Sequence, residues 1–383
     1  MSYNRSSRCL IRALFLLLFH ASVNVLASPV SGIAHSNSTT RRSDRLPDVT
    51  SISGISKGIA NSNTEVPCPR GGDNPEIEDA IQILWRRHLI WKMASHQQWM
   101  QIRRNRLAVL NLTVAGAALQ TVANRFPPSI GWVASIAGGG CVGLVPYLTS
   151  KYLGSDKTDA KKRSYAAARA IEAEVYQFRA GVAPYDGRDG SDPVDKLVEY
   201  CSNVSDDVKD LNGMYVMAGE PDDSMPAPPP RLDKRSYIDT RVKFETEHYK
   251  KKARHNIKRV ELCRSCHSVA SLTSGAIGLI AGGFADGISA QIPNNLGNIF
   301  KNQMAPWGAV ATTASAAIAA HIAASNFDER SSTFLAKAKR LENLVLCLDR
   351  DVEPGSPGWD QFVNDCEITI AGDINKWDAV QTR

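Results

Sequence analysis

The stretch that decides the fold is residues 107–150, LAVLNLTVAGAALQTVANRFPPSIGWVASIAGGGCVGLVPYLTS. It contains two uncharged runs, 107–123 and 129–150, separated by a short break that ends in two prolines. A bilayer core about 30 Å thick is crossed by roughly 20 apolar residues in a helix, so each run is near the length of one span. Because proline interrupts helical hydrogen bonding, the chain can turn back between the runs. The stretch therefore predicts a transmembrane hairpin.

A second pair of apolar runs occurs at 269–292 and 305–325, with Pro293 in the loop between them. Like the first pair, it follows a long polar helix and precedes two further helices, so one duplicated unit explains the order of elements. The sequence predicts an all-α membrane protein with two tandem units, each a two-helix transmembrane hairpin flanked by long amphipathic helices. The predicted boundaries are 1–27 for a signal or targeting segment, 28–74 for a disordered spacer, 75–213 for the first unit, 214–236 for a Pro-rich linker and 237–383 for the second unit.

Small residues are concentrated in the first hairpin, at 115–118 and 137–140. Such residues let two helices approach each other closely in lipid. A competing interpretation is a buried hairpin of a soluble helical bundle, because Asn111, Thr113 and Gln120 dilute the first run. The two interpretations differ in whether alkaline carbonate releases the protein from membranes.

Basic residues flank both hairpins on the side where the long helices project. By the positive-inside rule these helices face the cytosol or a matrix, and only short turns lie across the membrane. The formal net charge of +6 is mild, and the basic residues do not form a face interleaved with aromatic rings, so nucleic-acid binding is not expected. The membrane-flanking basic residues are Arg103, Arg104, Arg106, Lys161, Lys162, Arg163, Lys258, Arg259 and Arg264.

The amino terminus has three arginines within its first twelve residues and then the apolar run 13–19, which is typical of a secretory signal peptide. A mitochondrial or plastid transit peptide is the second interpretation, because no acidic residue precedes Asp44. An uncleaved signal anchor is the third. A cleaved secretory signal would place the amino terminus outside, against the orientation that the basic residues favour. The sequon at Asn37 is open to glycosylation if this terminus is lumenal.

Polar residues inside the predicted spans are the candidate functional residues, namely Asp286, His321, Asn111 and Gln120. An acid in hydrocarbon is costly unless it faces a cavity, a partner or water, so Asp286 is the best candidate for a pore-facing or ion-contacting residue. The alternative is a helix broken near 282–283, with Asp286 near the interface. His321 is either a packed histidine or a relay, and Asn111 can form hydrogen bonds across helices.

The segment 263–267 reads CRSCH, the spacing at which two thiols attach a c-type haem. It lies on a helix that enters the membrane, without a second such motif. Two helix-face thiols and an interfacial histidine are therefore expected instead of a haem site. The sequence contains no phosphate-binding glycine loop after a strand, no nucleophile signature and no zinc-ligand pairing. Neither enzymatic activity nor a cofactor or metal is expected.

The pattern resembles the SLATT family, the two-transmembrane effector domains associated with SMODS and SLOG domains, also described as DUF4231-type domains. In the first copy the resemblance rests on the Arg-rich end of the leading helix, the hairpin and the stretch from Ala168 to Tyr176 with Pro184-Tyr185. In the second copy it rests on Leu341-Glu342, Phe362-Val363, Glu367 and Trp377. The chain departs from the family pattern in its targeting segment, its two fused copies and the lack of a recognisable sensor domain.

The resemblance implies an all-helical membrane domain that forms homo-oligomers and acts as a pore or membrane-perturbing effector in nucleotide-dependent immunity. The implied partners are the lipid membrane, further copies of the chain and an activating partner of unknown identity. The alternative is a non-conducting, membrane-anchored helical scaffold that binds partner proteins through its projecting helices.

Overall fold

The computed structural model describes residues 74–123, 128–188, 190–221, 225–286 and 294–372. The predictions for the targeting segment, for the sequon at Asn37 and for all but the last residue of the spacer lie outside these residues. Within them the chain is helical and contains no strand, which confirms the all-α fold. The helices are α1 Pro75–Ala123, α2 Pro128–Leu153, α3 Ser155–Ala180, α4 Pro193–Asp207, α5 Asn212–Ala218, α6 Lys234–Tyr237, α7 Lys243–Asp286, α8 Asn294–Ser325, α9 Phe327–Cys347 and α10 Pro357–Ala371.

Helices α1 and α7 are longer than the spans that the sequence predicts in them. The amphipathic segment 75–106 and the span 107–123 form one continuous helix, because no proline or glycine pair interrupts them. A π-helical turn at Ile238–Val242 joins α6 to α7, so the polar helix of the second unit also continues into its first span. Each leading helix therefore runs without a break from the projecting side into its predicted span.

The short helices begin and end at residues suited to capping. The side chain of Asp192 accepts a hydrogen bond from the Val194 amide at 2.8 Å at the start of α4. Ser356 caps α10 in the same way through the Trp359 amide. Helix α3 ends at Gly181, whose φ of 63° is the left-handed conformation that glycine adopts without strain. These caps mark where α4 and α10 begin and where α3 ends.

The two halves of the chain pack in the same way. In the first half α1 packs against α2 and α3, and in the second half α7 packs against α8 and α9. Contacts between α1 and α8 place the two hairpins side by side. Contacts between α3 and α10 join the projecting parts. The repeated order that the sequence indicates is thus a repeated packing arrangement.

Each half has its own apolar core on the projecting side. The first is built around Ile81, Leu84, Ile171 and Leu197. The second is built around residues that include Tyr237, Leu341, Trp359 and Val363, and it also takes in Ala180 and Val182 from the end of α3. Burial of such side chains contributes about 1.5–3 kcal/mol each. Tyr176 on α3 packs against both cores.

The segment predicted as a Pro-rich linker, 214–236, is partly helical and packed. Most of α5 lies in it, and the Tyr215 ring packs against Trp91 with centroids 5.0 Å apart. The indole nitrogen of Trp85 donates a hydrogen bond to the Met225 carbonyl at 3.0 Å. Prolines restrict the backbone, so such a segment loses little conformational entropy when it lies against a surface.

Candidate functional site

Two helical stretches are long and apolar enough to cross a membrane, Gly131–Ala180 and Pro306–Cys347. In the most apolar 18-residue window of each, 11% and 22% of the residues are buried within the chain. Large apolar side chains on α2, among them Trp132, Ile136 and Tyr147, are exposed. A contiguous apolar surface of this kind marks contact with lipid or with another protein. Each stretch packs against the helix that carries the other predicted span of its pair, so the described helices form two helical hairpins, each with one helix that is long and apolar enough to cross a membrane.

The first hairpin is held together by a close approach of two glycines. A Cβ atom added to Gly116 would lie 3.1 Å from the Gly138 carbonyl oxygen and 2.7 Å from Val142. A Cβ added to Gly138 would lie 3.0 Å from the Gly116 carbonyl oxygen and 2.9 Å from Gln120. The prediction that small residues bring α1 and α2 together is therefore confirmed.

The second hairpin is held together by polar side chains instead. The Ser315 hydroxyl lies 2.9 Å from Nδ1 of His267 and 2.7 Å from the Ser271 hydroxyl. One turn further along, Ser274 contacts Thr312 and donates to the Gly308 carbonyl oxygen. His267 is the histidine of the CRSCH segment, and its ring is engaged by the neighbouring helix. No group of three or more metal-ligating side chains occurs in the part of the chain that the structure describes.

Of the four polar residues predicted inside the spans, the three whose side chains the structure describes do not form one cluster. Asp286 is the last residue of α7, and its side chain lies outside the described part of the structure. The His321 ring lies 6.3 Å from Phe327, at the end of α8 near the projecting side. Asn111 is exposed on α1. Gln120 lines a groove between α1 and α8, together with Thr121 and Thr313.

The predicted membrane-flanking basic residues fall into three groups. Three of them bind acids, and the pairs are Lys162 with Asp159, Arg163 with Asp210 and Arg264 with Asp328. Arg104 and Lys258 are exposed, and the Arg103 guanidinium lies 5.6 Å from the Trp99 ring centre. The remaining three, Arg106, Lys161 and Arg259, are half-buried.

A buried ion network joins the two halves on the projecting side. Arg241 binds both carboxylate oxygens of Glu367, at 3.0 and 2.7 Å, and donates to Glu172 at 2.8 Å. Arg169 donates to Glu172 at 2.6 Å and to Glu245 at 2.8 Å. All five side chains are buried. Each arginine therefore bridges α3 to the second half of the chain.

Two tyrosines complete the network. The Tyr237 hydroxyl donates to Glu367 at 2.9 Å, and the Arg241 guanidinium lies 4.1 Å from the Tyr176 ring centre. A desolvated cation over an aromatic face gains up to about 2 kcal/mol. The sequence did not lead to a prediction of this network, although four of its members, Arg169, Glu172, Tyr176 and Glu367, lie in the motifs that carry the family resemblance. Charged residues at core positions of amphipathic helices were the available signal.

The comparison with protein families matches residues 237–377 to the model described as SMODS and SLOG-associating 2TM effector domain 1, SLATT_1. This match covers less than half of the chain, and residues 237–377 are called the SLATT domain after it. The family model matches only the second of the two predicted copies. For the first half of the chain, the prediction of a second copy is supported only by the repeated packing of its helices. No curated protein and no solved structure matches the chain.

The ion network connects the SLATT domain to the first half of the chain. Burial opposes ionisation of Glu172, but Arg169 and Arg241 outweigh it and hold the pKa of this carboxyl well below its usual range. Burial raises the pKa of Glu367, and Arg241 only partly offsets this effect. With three carboxyls facing two guanidinium groups, Glu367 is the acid that binds a proton most readily. The contact between the halves therefore depends on the positive charge of Arg241, which offsets the buried carboxylates of Glu172 and Glu367.

A buried histidine adds a pH dependence to the first half. Nδ1 of His88 lies 2.7 Å from the Ala168 carbonyl oxygen and must donate to it, while Nε2 has no partner among the described residues. Trp85 stacks on the ring at 4.7 Å. Burial lowers the pKa of His88 from 6.5 to about 4, so the folded chain holds this ring neutral.

We expect the full chain in detergent to lose about 3 kcal/mol of stability through His88 as the pH falls from 6.5 to 4. The unfolded histidine binds a proton near pH 6.5, whereas the folded one does so only near pH 4. This contribution is fully present above pH 6.5. His88→Asn keeps a donor for Ala168 and removes the titration, so its unfolding free energy should decline less over the same pH range. Parallel wild-type and variant curves would contradict this assignment.

Proposed function

We propose that the chain is a membrane effector in which several copies assemble into a pore. The observation that carries the proposal is the open groove between α1 and α8, which has a volume of about 300 Å³ and lies within the predicted spans. It combines small apolar residues with the polar side chains of Gln120, Thr121 and Thr313. Polar side chains at membrane depth normally face protein or water rather than lipid.

The hydrogen bonding of the groove residues supports a water-facing role. Thr121 and Thr313 each donate to the carbonyl oxygen one turn back on their own helix, which satisfies them locally. The Gln120 amide has no hydrogen bond to the described residues. An unpaired amide in hydrocarbon costs several kcal/mol. This cost favours an arrangement in which the Gln120 side chain contacts a second copy of the chain or a water-filled path.

The large exposed apolar surface of α2 is a second observation that supports assembly of several copies. Lipid or a neighbouring copy must cover Trp132 and Ile136, which are 60% and 65% exposed. Interfaces between transmembrane helices rely on small residues, and α2 carries Gly139, Gly140 and Gly143 away from its contact with α1. These glycines leave room for a helix of a second copy.

The test is ion flux through proteoliposomes that contain the purified full chain. We expect Gln120→Leu to reduce flux by at least about tenfold, because an apolar side chain removes the polar group from the proposed path. Asn111→Leu is the matched control, since Asn111 lies in the same span but outside the groove, and it should change flux less than about twofold. Equal effects of the two substitutions would contradict the proposed path.

The same experiment separates a pore from a scaffold. If wild-type vesicles conduct no more than empty ones while the protein remains inserted, the chain is a non-conducting anchor whose projecting helices bind partners. Delivery of the chain to a secretory or organellar membrane by residues 1–27 stays a prediction, as does activation by a further partner. No enzymatic step is part of the proposal.

A further inference from the structure

The exposed side of α7 above the membrane is basic. Lys251, Arg254 and Lys258 are exposed and lie on one side of the helix, opposite the buried Val260. Residues 243–264 contain eight Lys or Arg residues against three Asp or Glu residues. The three exposed cations form no ion pair with the described residues. We call Lys251, Arg254 and Lys258 the basic face.

The exposed side of α4 is acidic. Glu199 and Asp206 are exposed, and they lie opposite the buried Leu197 and Cys201. Residues 193–210 contain five Asp or Glu residues against two Lys residues. Neither Glu199 nor Asp206 forms an ion pair within the part of the chain that the structure describes. We call these two residues the acidic face.

The basic face is too far from the membrane to bind phospholipid headgroups. Lys258 and Lys251 precede the span predicted at 269–292 by 11 and 18 residues, which corresponds to about 16 and 27 Å along the helix. The headgroup layer adds only about 5–8 Å on each side of the hydrocarbon core. A phospholipid of the same leaflet therefore does not reach this face.

The acidic face lies at a similar height. Helix α4 starts beyond the upper end of α3, where Nζ of Lys196 donates at 3.0 Å to a carbonyl oxygen in the loop that follows α3. The chain then runs back along α3 to Asp210, which binds Arg163 at 2.6 Å. Arg163 is 13 residues beyond the span predicted at 129–150, so it lies about 20 Å from this span, and Asp206 lies about one turn higher. The two faces are thus at overlapping distances from the membrane.

Below the basic face the same side of α7 is apolar. Leu262, Val269 and Leu272 continue this side of the helix, and they are 42%, 59% and 73% exposed. A protein partner that covers the whole side must therefore be anionic above the membrane and apolar within it. A second copy of the chain meets both requirements, because its first half exposes the acidic face of α4 and the apolar surface of α2 with Trp132 and Ile136.

We propose that the basic face of one copy binds the acidic face of the next copy. Lys251 and Lys258 are seven residues apart, and Glu199 and Asp206 are also seven residues apart. Each pair is therefore spaced by about two helical turns, or about 10 Å, so that two ion pairs form at once. Exposed ion pairs add little affinity, but they select the partner and its orientation. The apolar sides of α7 and α2 supply the buried area.

The two faces are different surfaces of the chain, so the contact between copies is heterologous. Every copy offers one face of each kind, and repetition of such a contact builds a ring when the rotation between copies closes. The contact names the interface for the assembly step of the proposed function and rests on that step. It does not depend on ion conduction.

Charge reversal tests the contact in the full chain, purified in an uncharged detergent and followed by sedimentation across a dilution series. We expect Lys251→Glu, Lys258→Glu to weaken association between copies at least about tenfold, and Glu199→Lys, Asp206→Lys to do the same. All four substitutions together restore opposite charges across the contact and should return association to within about threefold of the wild type. The control Lys339→Glu, Arg340→Glu makes the same charge change on exposed residues of α9 and should change association less than about twofold.

Carbodiimide coupling in proteoliposomes locates the contact, because this reagent joins an ammonium to a carboxylate only where the two groups touch. In an equal mixture of isotope-labelled and unlabelled copies, we expect mixed cross-links between a lysine of the basic face and a carboxylate of the acidic face. Oligomers that survive both reversals would overturn this interface and leave the proposed pore standing. The same holds for a four-site variant that is folded by circular dichroism but does not associate.

Two further outcomes separate the interface from the pore. Charge-dependent oligomers that conduct no ions would support the interface and overturn the pore. A wild type that is monomeric in detergent and gives no mixed cross-link in vesicles would overturn both.

Discussion

Replacing Arg241 with leucine should lower the free energy of unfolding of the full chain by about 3–5 kcal/mol. The substitution leaves Glu172 and Glu367 buried without the guanidinium that binds both of them. Removal of one partner of a buried ion pair costs more than the pair itself contributes, because the remaining charge stays desolvated. Denaturant unfolding in a mild detergent, followed by tryptophan fluorescence, measures the change.

Two companion variants make the test specific for the network. Arg235→Leu removes an exposed arginine six residues earlier in the chain, whose side-chain nitrogen is 3.9 Å from Asp239, and should cost less than about 1 kcal/mol. The double variant Arg241→Leu, Glu367→Leu should be more stable than the sum of the two single changes predicts, since it removes both members of a pair. Strict additivity would show that the two side chains do not act together.

Replacing Gly138 with valine should destabilise the first hairpin by about 1–3 kcal/mol and lower flux in proteoliposomes together with it. The new side chain would meet the Gln120 backbone nitrogen and the Gly116 carbonyl oxygen, each 3.0 Å from the added Cβ. Backbone atoms of a helix cannot move aside singly, so α1 and α2 must separate. Thermal melting in detergent and vesicle flux provide the two measurements.

Gly139→Val is the matched control for this prediction. Gly139 is the next residue of α2, and a Cβ added there meets no atom within 4 Å. Gly139→Val replaces the same residue type with the same side chain, so it should leave the melting temperature of the isolated chain nearly unchanged. If Gly139→Val lowers flux without lowering stability, this face of α2 contacts a second copy in the assembled pore. Equal destabilisation by both substitutions would contradict the close approach at Gly138.

Much of the fold follows from the sequence because apolar runs and their breaks are local signals. The uncharged runs on either side of 125–128 are sufficient to predict the first hairpin, and the small residues that include Gly116 and Gly138 indicate how closely its helices pack. The continuity between the Arg-rich end of the leading helix and the span 107–123 is different, because charge marks the membrane surface and does not show whether a helix ends there. The structure continues α1 through this point without a break.

The ion network could not be predicted in the same way. Arg169 and Glu245 are 76 positions apart, and Arg241 and Glu367 are 126 apart, so their pairing depends on how α3, α7 and α10 meet. A single sequence shows that charged residues interrupt apolar faces, but it does not show which of them pair. The packed state of the segment 214–236 is a further tertiary effect, because its proline content alone is equally typical of an exposed linker.

Alkaline carbonate extraction of membranes from cells that express the full chain tests most directly whether the two hairpins are inserted in a membrane. Maleimide labelling of the exposed Cys347 in sealed vesicles reports on which side of the membrane α9 lies. Two inserted hairpins predict that the chain stays in the pellet and that Cys347 is labelled from the side on which α3 and α9 project. Release of the folded chain into the supernatant would contradict the membrane hairpins, and with them the proposed pore.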